Sequence, residues 1–319
     1  MFERNSFNDA TIVKIPSVAV IIPCFNEEST IYNVVKKFRE ILPRASIYVY
    51  DNCSTDNTYR EAKKAGAMVI KSRKKGKGNV VRKMFSDISA DMYLMVDGDD
   101  TYSAEDSVKM LDLIRDEQMD MVIAARNETS EKAYRAGHKW GNKLFNFVLK
   151  LLFGSEFKDI FSGYRAFSKR FVKTFPITSN GFDIEAELSI HALTLSLPCA
   201  EIDSNYRERS ENSYSKLSTF KDGFKILWSI LKLLKENRPL LFFGIISLIL
   251  FFLSIGLAYP ILSTFLETGL VPRLPTAVLS TGIMMISFLS LTCGMILNSI
   301  SQARIEIKKL HYLKYETSE

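Results

Sequence analysis

Two acidic residues separated by one residue, Asp97 and Asp99, follow the short apolar run Met92 to Val96. Carboxylates at this spacing can hold a hard divalent cation whose remaining positions are filled by substrate phosphates and water. Gly98 between them has no side chain and allows close approach to the backbone. An ordinary acidic turn is the alternative, because Asp and Gly are common in turns. The pair is a candidate cation site.

A basic loop, Arg73 to Asn79, places Lys77 between two glycines ahead of a helix-like segment. Backbone N–H groups and cations in this arrangement can bind an anion. The loop is not a P-loop, since Lys71 stands where the first glycine of that motif should be. No G-x-G-x-x-G follows the first apolar run either, which disfavours a dinucleotide oxidoreductase. A solvated basic turn is the alternative.

Five short apolar runs alternate with turns and helix-like segments through the first half of the chain, and this alternation predicts the elements that position these residues. The runs are Val18 to Ile22, Ile47 to Tyr50, Ala67 to Ile70, Met92 to Val96 and Met119 to Ala124. The pattern predicts an α/β, Rossmann-like domain with a mainly parallel sheet covered on both faces. Ligands of such sheets bind at the carboxyl ends of the strands, where both polar loops fall.

Other segments carry weaker signals. Ser103 and Asp106 have the spacing of a capping box, and Ser54-Thr55-Asp56 supplies capping side chains for a helix over Asn57 to Ala65. A helix is predicted over Phe182 to Leu195. The remaining predictions are a basic helix from Lys132 to Phe153, an irregular segment from Gly154 to Arg165, and a strand near Ala200 to Tyr206.

The charge balance is mildly basic, with 42 Lys and Arg against 36 Asp and Glu and a net charge of +6. This bias suits an anionic lipid surface or phosphorylated substrates and is too weak to indicate nucleic acid. The 4 cysteines lie far apart without C-x-x-C spacing, which favours reduced thiols on the cytosolic side.

Two long uncharged runs, Pro239 to Leu266 and Leu274 to Ala303, stand near the C-terminal end. Roughly 20 apolar residues cross a bilayer as a helix, so either run is long enough. The connection Glu267 to Arg273 is too short to hold a domain, and the two runs therefore form a hairpin. Lys and Arg flank the hairpin at both ends, which by the positive-inside rule places the N-terminal domain in the cytoplasm. Two buried helices of a soluble core are the alternative.

The segment Leu217 to Lys235 has apolar residues at helical spacing and several lysines, which predicts an amphipathic helix in the membrane interface. A helix packed on the catalytic core is the alternative. The predicted division is an N-terminal extension (1–16), a catalytic domain (17–215), interfacial helices (216–238), a transmembrane hairpin (239–303, with spans at about 240–264 and 276–300) and a cytoplasmic tail (304–319).

Several ordered motifs together carry a resemblance to a known family. They are Ile21-Ile22-Pro23-Cys24-Phe25-Asn26-Glu27-Glu28, Tyr50-Asp51-Asn52-Cys53-Ser54-Thr55-Asp56, Gly76-Lys77-Gly78 and Asp97-Gly98-Asp99. This combination resembles the inverting family 2 glycosyltransferases with the GT-A fold. The segments Asp159 to Arg165 and Tyr206 to Leu217 are similar to the polyprenyl-phosphate branch, which includes dolichol-phosphate mannose synthases and bacterial undecaprenyl-phosphate glucosyltransferases. The resemblance covers nearly all of Ser17 to Arg238, and the hairpin also resembles the bacterial members.

The resemblance implies a role for each matching residue. The nucleoside would be contacted by Pro23, Phe25 and Glu27, and the base by Asp51. Mg or Mn would be bound by Asp97 and Asp99 together with the donor diphosphate, and phosphates would be contacted by Arg126, Arg209 and Lys216. Two positions depart from the family pattern: the usual Asp-Asp-Gly-Ser is Asp51-Asn52-Cys53-Ser54 here, and Thr101 stands where several relatives carry Gln.

A lipid-phosphate acceptor is already largely ionised at neutral pH, since its second pKa is roughly 6 by analogy with phosphorylated side chains. Positive charge that holds two anionic substrates together then matters more than a strong base. The cations suited to this are Arg165, Arg207, Arg209 and Lys216. Asp159 could align the acceptor, act as a base or cap a turn with Ser162. Glu185 and Glu187 form a solvated helix face or lie near the acceptor.

The predicted function is transfer of one hexose, with inversion, from a nucleotide sugar to polyprenyl phosphate at the cytoplasmic face of the cell membrane. The acceptor in a bacterium would be undecaprenyl phosphate and the product would feed a surface polysaccharide. UDP-glucose is the favoured donor, with UDP-N-acetylglucosamine and GDP-mannose as alternatives, and related members suggest a homo-oligomer. A processive synthase would need a Q-x-x-R-W segment, which this sequence lacks. An inactive membrane scaffold that binds nucleotide sugar is the alternative of another class.

Overall fold

The computed structural model describes residues 15–127, 157–176, 184–206, 231–232 and 234–315. Within them the chain forms an α/β domain around a seven-stranded sheet. The strands are β1 (Val18–Cys24), β2 (Ser46–Asp51), β3 (Met68–Lys71), β4 (Met92–Met95), β5 (Met121–Asn127), β6 (Arg165–Ser168) and β7 (Cys199–Asn205). The predicted basic helix Lys132 to Phe153 lies outside the described residues, as does most of the predicted interfacial helix.

Helices connect these strands and cover both faces of the sheet. They are α1 (Ile31–Ile41), α2 (Thr58–Lys64), α3 (Lys77–Asp87), α4 (Asp106–Asp116), α5 (Lys169–Thr174) and α6 (Ile184–Leu195), followed by two long helices, α7 (Pro239–Thr268) and α8 (Leu274–Tyr312). The five strands predicted from the apolar runs are all present. The predicted mainly parallel sheet is therefore confirmed.

The sheet has the strand order β3-β2-β1-β4-β6-β5-β7. The chain moves outward from β1 to β3 and then returns to place β4 on the other side of β1, so the order reverses between these two strands. Polar loops after β1 and β4 meet at that reversal, where ligands of open α/β sheets bind. Strand β6 was not predicted; it is antiparallel to both of its neighbours and begins at the end of the segment predicted to be irregular.

Alternation along β1 separates two apolar cores. Val20 and Ile22 face a core that includes residues of α1, α2 and α4. Ala19 and Ile21 face the other core, with residues of α3, α5 and α6. All four side chains are buried, because successive residues of a strand point to opposite faces and this strand is covered on both. The central strands are thus held on both sides, which keeps their carboxyl ends in place.

The capping prediction at Ser103 is wrong. Helix α4 has Glu105 at its N-cap and no side-chain capping bond, and the Ser103 hydroxyl instead donates to the Glu105 carboxylate at 2.5 Å. Asp106 accepts from the Ser204 hydroxyl of β7 and so joins the helix to the sheet. At α2, Asp56 accepts from the backbone N–H of Thr58 at 3.0 Å, which gives the loop after β2 its expected structural role.

The two long helices form a hairpin whose contact face carries buried serines. Ser254 donates to the backbone carbonyl of Ser280 at 2.7 Å, and Ser287 donates to the carbonyl of Ser247 at 2.8 Å. Small residues with hydroxyl groups let helices approach closely and bond across the interface in an apolar environment. Large apolar side chains cover the outer faces and are exposed; they include Ile249, Phe252, Leu279 and Leu289.

Both helices of the hairpin are long and apolar enough to cross a membrane, and only 11% of the most apolar window of each is buried. Buried helices of a soluble core would have most of that window covered. Helix α8 continues to Tyr312, past Ala303 where the hairpin was predicted to end, and packs against α5 and α6. The first part of the predicted tail is therefore helical and in contact with the α/β domain.

Candidate active site

The loops after β1 and β2 are joined by hydrogen bonds from backbone N–H groups to side chains. Asn26 N–H donates to the Ser54 hydroxyl at 3.0 Å, and Glu27 N–H donates to the Thr58 hydroxyl at 2.8 Å. Asn26 and Cys53 have φ values of 55° and 62°, so each loop turns sharply through the left-handed region. These contacts hold three residues along one edge of the sheet, Pro23, Phe25 and Asp51, whose contact with a nucleoside stays a prediction.

The acidic loop after β4 lies directly beside the loop after β1. A Cβ added to Gly98 would lie 2.7 Å from Cys24 Sγ and 3.7 Å from Glu27 Cγ. The Thr30 hydroxyl donates to the carbonyl of Gly98 at 2.7 Å and ties this loop to the start of α1. Gly98 is required here because the two loops touch at its position.

Three aspartates in this loop are held in different ways. Asp99 is buried and accepts from the Thr101 hydroxyl at 2.6 Å. Asp100 has a φ of 58° and forms an ion pair with Lys37 at 2.7 Å, so it is directed to α1. Asp97 accepts from Lys77 at 2.6 Å. Thr101, noted as a departure from the family pattern, therefore orients a predicted cation ligand.

Lys77 lies between two carboxylates. Its Nζ is 2.6 Å from Asp97 Oδ1 and 2.5 Å from Glu185 Oε1, and its side chain is only 11% exposed. Burial by itself lowers the pKa of the Lys77 ammonium, but the charges of Asp97 and Glu185 outweigh it and raise that pKa above its ordinary value. The basic loop thus contributes a permanently charged ammonium to the acidic site.

Glu185 is buried at the start of α6, and among the described residues its Oε2 has no hydrogen-bond partner. The interpretation of this residue as part of a solvated helix face is wrong, because the ion pair with Lys77 draws its carboxylate to the carboxyl edge of the sheet. Glu187, two positions further along the same helix, is partly exposed. Both acids lie in the first turn of α6, so the sequence alone does not distinguish Glu185 from Glu187.

The segment before β6 forms another wall of the site. A Cβ added to Gly163 would lie 2.3 Å from Asp97 Oδ2, so only glycine lets the Asp97 carboxylate pack against this backbone. Gly163 N–H donates to the Tyr102 hydroxyl at 3.2 Å, which fixes the segment against the loop after β4. Gly163 belongs to the motif Asp159 to Arg165, but no role was predicted for it from the sequence.

Asp159 and Arg126 form a bidentate ion pair. Arg126 Nε is 2.6 Å from Asp159 Oδ2 and its terminal nitrogen is 2.9 Å from Oδ1. The guanidinium also lies over the Tyr206 ring, 5.5 Å from its centroid. The Ser162 hydroxyl donates to the carbonyl of Ala124 at 2.6 Å, which leaves the Asp159 side chain paired with Arg126. The structure thus brings together two residues that the sequence analysis assigned separately, to phosphate binding and to the acceptor.

Arg165 does not fit its predicted contact with a phosphate. Its side chain is fully buried and donates to the carbonyls of Ser162 and Ile160 and, at 2.9 Å, to the Ser189 hydroxyl. Burial lowers the pKa of Arg165 to about 10, with Glu185 and Asp159 opposing the shift. These hydrogen bonds of the Arg165 guanidinium hold the segment before β6 on the sheet, so its role is structural.

The remaining predicted site residues fall into two groups. Phe25 is half-buried with the ammonium of Lys75 4.5 Å from its ring centroid, and Asp51 is buried with its Oδ1 accepting from Ser54 N–H at 3.0 Å. The loops after β1, β2 and β3 therefore meet. Three predicted phosphate contacts lie outside the described residues: Arg207, Arg209 and Lys216.

The residues present fit a divalent cation. Asp97 and Asp99 supply carboxylate oxygens, and the close approach that Gly163 allows leaves Asp97 packed at the edge of the sheet. No group of three or more His, Cys, Asp or Glu side chains that could hold a metal occurs in the described part of the chain. Asp97 and Asp99 would be ligands of a cation here, and substrate phosphates and water could supply further ligands.

Comparison with known proteins agrees with this arrangement. The glycosyl transferase family 2 profile matches residues 19–175. Glycosyltransferase AglJ of Haloferax volcanii is 34% identical over 244 residues, which cover 76% of this chain and 80% of that protein. The chain belongs to glycosyl transferase family 2. A dolichyl-phosphate hexose transferase of the same organism is 31% identical over 222 residues, covering 69% of this chain and 95% of that protein.

The fold also matches solved structures. Glucosyl-3-phosphoglycerate synthase from Mycobacterium tuberculosis, in complex with Mn²⁺, uridine diphosphate and phosphoglyceric acid, superimposes with a TM-score of 0.57 at 20% identity. The match covers 69% of this chain and 78% of that one, which establishes the GT-A fold. The family 2 chain is thus a glycosyltransferase enzyme, and the interpretation as an inactive scaffold is not retained.

Proposed function

We propose that this enzyme transfers a single hexose, with inversion, from a nucleotide sugar to a polyprenyl phosphate at the cytoplasmic face of a membrane. The observation that carries the proposal is the placement of Lys77, Asp97 and Asp99 at the reversal of strand order, in a domain packed against a long apolar helix. Relatives named for transfer to dolichyl phosphate support the class of acceptor.

The donor diphosphate would lie against the acidic loop. Asp97 and Asp99 would hold Mg or Mn, which supplies positive charge against the leaving nucleotide. The Lys77 ammonium holds Asp97 in place and adds a fixed positive charge to the same edge. Since Gly98 has no side chain, the loop can lie close to Cys24 and Glu27 and keep the nucleoside and diphosphate regions in contact.

The acceptor phosphate would need orientation more than deprotonation, because a phosphate monoester is largely ionised at neutral pH. Asp159 already accepts two bonds from Arg126, and we assign it the role of aiming that guanidinium, with the Arg126 charge directed at a phosphate. In this proposal Asp159 therefore orients the Arg126 guanidinium and does not act as a base. The contribution of Arg207, Arg209 and Lys216 to the same phosphate stays a prediction.

UDP-glucose is the proposed donor, and undecaprenyl phosphate the proposed acceptor. The test is incubation of the purified protein in detergent with undecaprenyl phosphate and a panel of UDP-glucose, UDP-N-acetylglucosamine and GDP-mannose, with the lipid product weighed by mass spectrometry. We expect a product heavier by one hexose with UDP-glucose. If a lipid product forms only with another nucleotide sugar, the proposed donor is wrong. If no lipid product forms with any donor, the proposed function is wrong.

The proposed topology places both ends of the hairpin in the cytoplasm. Cysteines introduced at Gly269 in the connection and at Lys314 after α8 should differ in their labelling by a membrane-impermeant maleimide in intact cells. These variants are made in a Cys53→Ser and Cys293→Ser background, because those two native cysteines are exposed. We expect labelling at position 269 alone; labelling at position 314 would contradict the topology.

A further inference from the structure

The part of α8 beyond the apolar hairpin makes contacts that the proposed reaction does not use. Ile305 and Tyr312 pack partly buried against the core formed by α3, α5 and α6. These residues are seven apart, and Lys308 lies between them at helical spacing, so the three share one face of the helix. Lys308 interacts electrostatically with Glu187 of α6. The opposite face is exposed at Ile307 and Leu310.

Tyr312 ends this contact in a polar pocket at the amino-terminal end of β5. Its hydroxyl donates to Asp120 Oδ2 at 2.5 Å. Asp120 has no exposed surface, and its other oxygen accepts from Arg170 at 2.5 Å and from the Ser168 hydroxyl at 2.6 Å. The guanidinium of Arg170 also lies over the Tyr312 ring, 4.9 Å from its centroid. The buried carboxylate thus joins β5, α5 and the end of α8.

The same helix that the α8 extension contacts also reaches the active site. The first turn of α6 carries both Glu185, which pairs with Lys77, and Glu187, which interacts electrostatically with Lys308. Helix α8 runs from the apolar hairpin to this contact without a break. Its attachment at Tyr312 therefore sets the orientation of the active-site edge relative to the hairpin.

We propose that the α8 extension, residues 304–312, is a rigid strut and that Tyr312 is a positioning residue, whose bond to Asp120 holds the active site at the plane of a lipid-anchored acceptor. This inference rests on the proposed lipid-phosphate acceptor. A headgroup confined to the membrane surface reacts only when the site meets that plane, and small misplacements lower the rate steeply. An acceptor dissolved in water has no such constraint.

The kinetic test compares Tyr312→Phe with Tyr315→Phe in the full-length protein in liposomes. Tyr315 is exposed three residues further along, so it provides a matched control. We expect Tyr312→Phe to lower kcat/KM for undecaprenyl phosphate about tenfold, the effect of losing one hydrogen bond to a buried carboxylate. With a short, water-soluble isoprenyl phosphate, kcat/KM should stay within about twofold. Equal losses on both acceptors, or no loss on either, would overturn the positioning role.

A structural test is independent of the reaction. Hydrogen exchange of backbone amides in residues 304–312, measured in nanodiscs, should be faster in Tyr312→Phe than in wild type and unchanged in Tyr315→Phe. Unchanged hydrogen exchange in Tyr312→Phe would contradict the proposal that the α8 extension is a rigid strut. If the wild type uses neither acceptor while the exchange result holds, the proposed acceptor is wrong and the strut remains.

Discussion

The two ends of the sheet each carry a group of acidic and basic side chains, and they are built differently. At the carboxyl end, Asp97 pairs with Lys77, retains 26% of its side-chain surface, and lies where loops from four parts of the chain meet. At the amino end, Asp120 has no exposed surface and both of its oxygens accept from neighbouring side chains. The first arrangement keeps a carboxylate partly open to solvent, and the second is closed.

This difference teaches how to separate function from stability in a single sheet. A closed, fully bonded carboxylate stabilises the fold, and its removal leaves a largely covered guanidinium without its counter-charge. A partly exposed carboxylate beside a cation contributes little to the fold and much to the binding of charged substrates. Substitutions at the carboxyl end should therefore change activity with little effect on stability, and those at the amino end should do the reverse.

The largest expected effect is at Asp99. Asp99→Asn should lower transfer at least about a thousandfold, because an amide is a poor ligand for a hard cation at a site where charge develops. The midpoint of thermal unfolding should move by less than about 2 °C, since the amide oxygen can still accept from Thr101. The matched control is Asp100→Asn, which breaks only the rim pair with Lys37 and should change transfer less than about threefold. A thermal midpoint that falls with activity would contradict the contrast.

Gly163→Ala should have the next largest effect. The added methyl group would lie 2.3 Å from Asp97 Oδ2 and must displace that carboxylate. We expect transfer to fall about a hundredfold, the loss typical of a misplaced catalytic group. Gly256→Ala in α7 is the control, because a Cβ there meets nothing within 4 Å. Normal activity in Gly163→Ala would show that Asp97 needs no fixed position.

The third substitution acts at the amino end of the sheet. Asp120→Ala should lower the free energy of unfolding by about 3 kcal/mol, because Arg170 then remains nearly buried without its carboxylate. Transfer to a water-soluble acceptor, per folded molecule, should be unchanged. The control is Asp203→Ala, which removes an exposed pair with Lys158 and should cost less than about 1 kcal/mol. Thermal unfolding followed by circular dichroism measures both; equal losses in the two variants would contradict a closed site.

The smallest effect concerns His191, which is buried against Phe171 and Phe175 in the core near α8. Burial, with a smaller effect of Lys308, lowers the pKa of His191 to about 3. In the unfolded chain His191 binds a proton near pH 6.5. Its contribution to the free energy of unfolding is therefore fully present above that pH and falls as the pH drops toward 3. Between pH 7 and pH 5 the loss should be about 2 kcal/mol.

His191→Leu should flatten this dependence of the thermal midpoint on pH. His311→Leu, at an exposed position near the end of α8, provides the control and should keep the wild-type dependence. The same slope in His191→Leu as in the wild type would mean that other groups cause the loss of stability in acid.

Much of the active-site edge could be predicted from the sequence because its residues follow strands directly. An apolar run followed by a polar loop places that loop at a known end of a parallel sheet, and this located the loops of Asp51, Lys77 and Asp97 together. Arg165 could not be judged in this way. It opens an antiparallel strand, and whether its side chain meets a substrate or the interior depends on carbonyls of Ile160 and Ser162 that fold back over it.

Local patterns of charged and polar residues did not predict which side chains pair with each other. Glu185 and Glu187 have the same type and nearly the same position on α6, yet one is buried beside Lys77 and the other is partly exposed. Ser103 has the spacing of a capping box, but its hydroxyl is taken by Glu105. Pairing between ions depends on distances of a few ångströms between distant segments, and spacing along one segment does not contain them.

The sequence by itself determined the class of this protein: the order of apolar runs implied the α/β sheet, the ordered motifs implied the transferase family, and uncharged length implied two helices long and apolar enough to cross a membrane. These properties are local, since they depend on periodicity, composition and residue order. Only the tertiary structure decided which charges are paired. Lys77 with Glu185, Arg126 with Asp159 and Tyr312 with Asp120 each join residues from different elements, because burial makes a polar group take whatever partner the packing brings within reach.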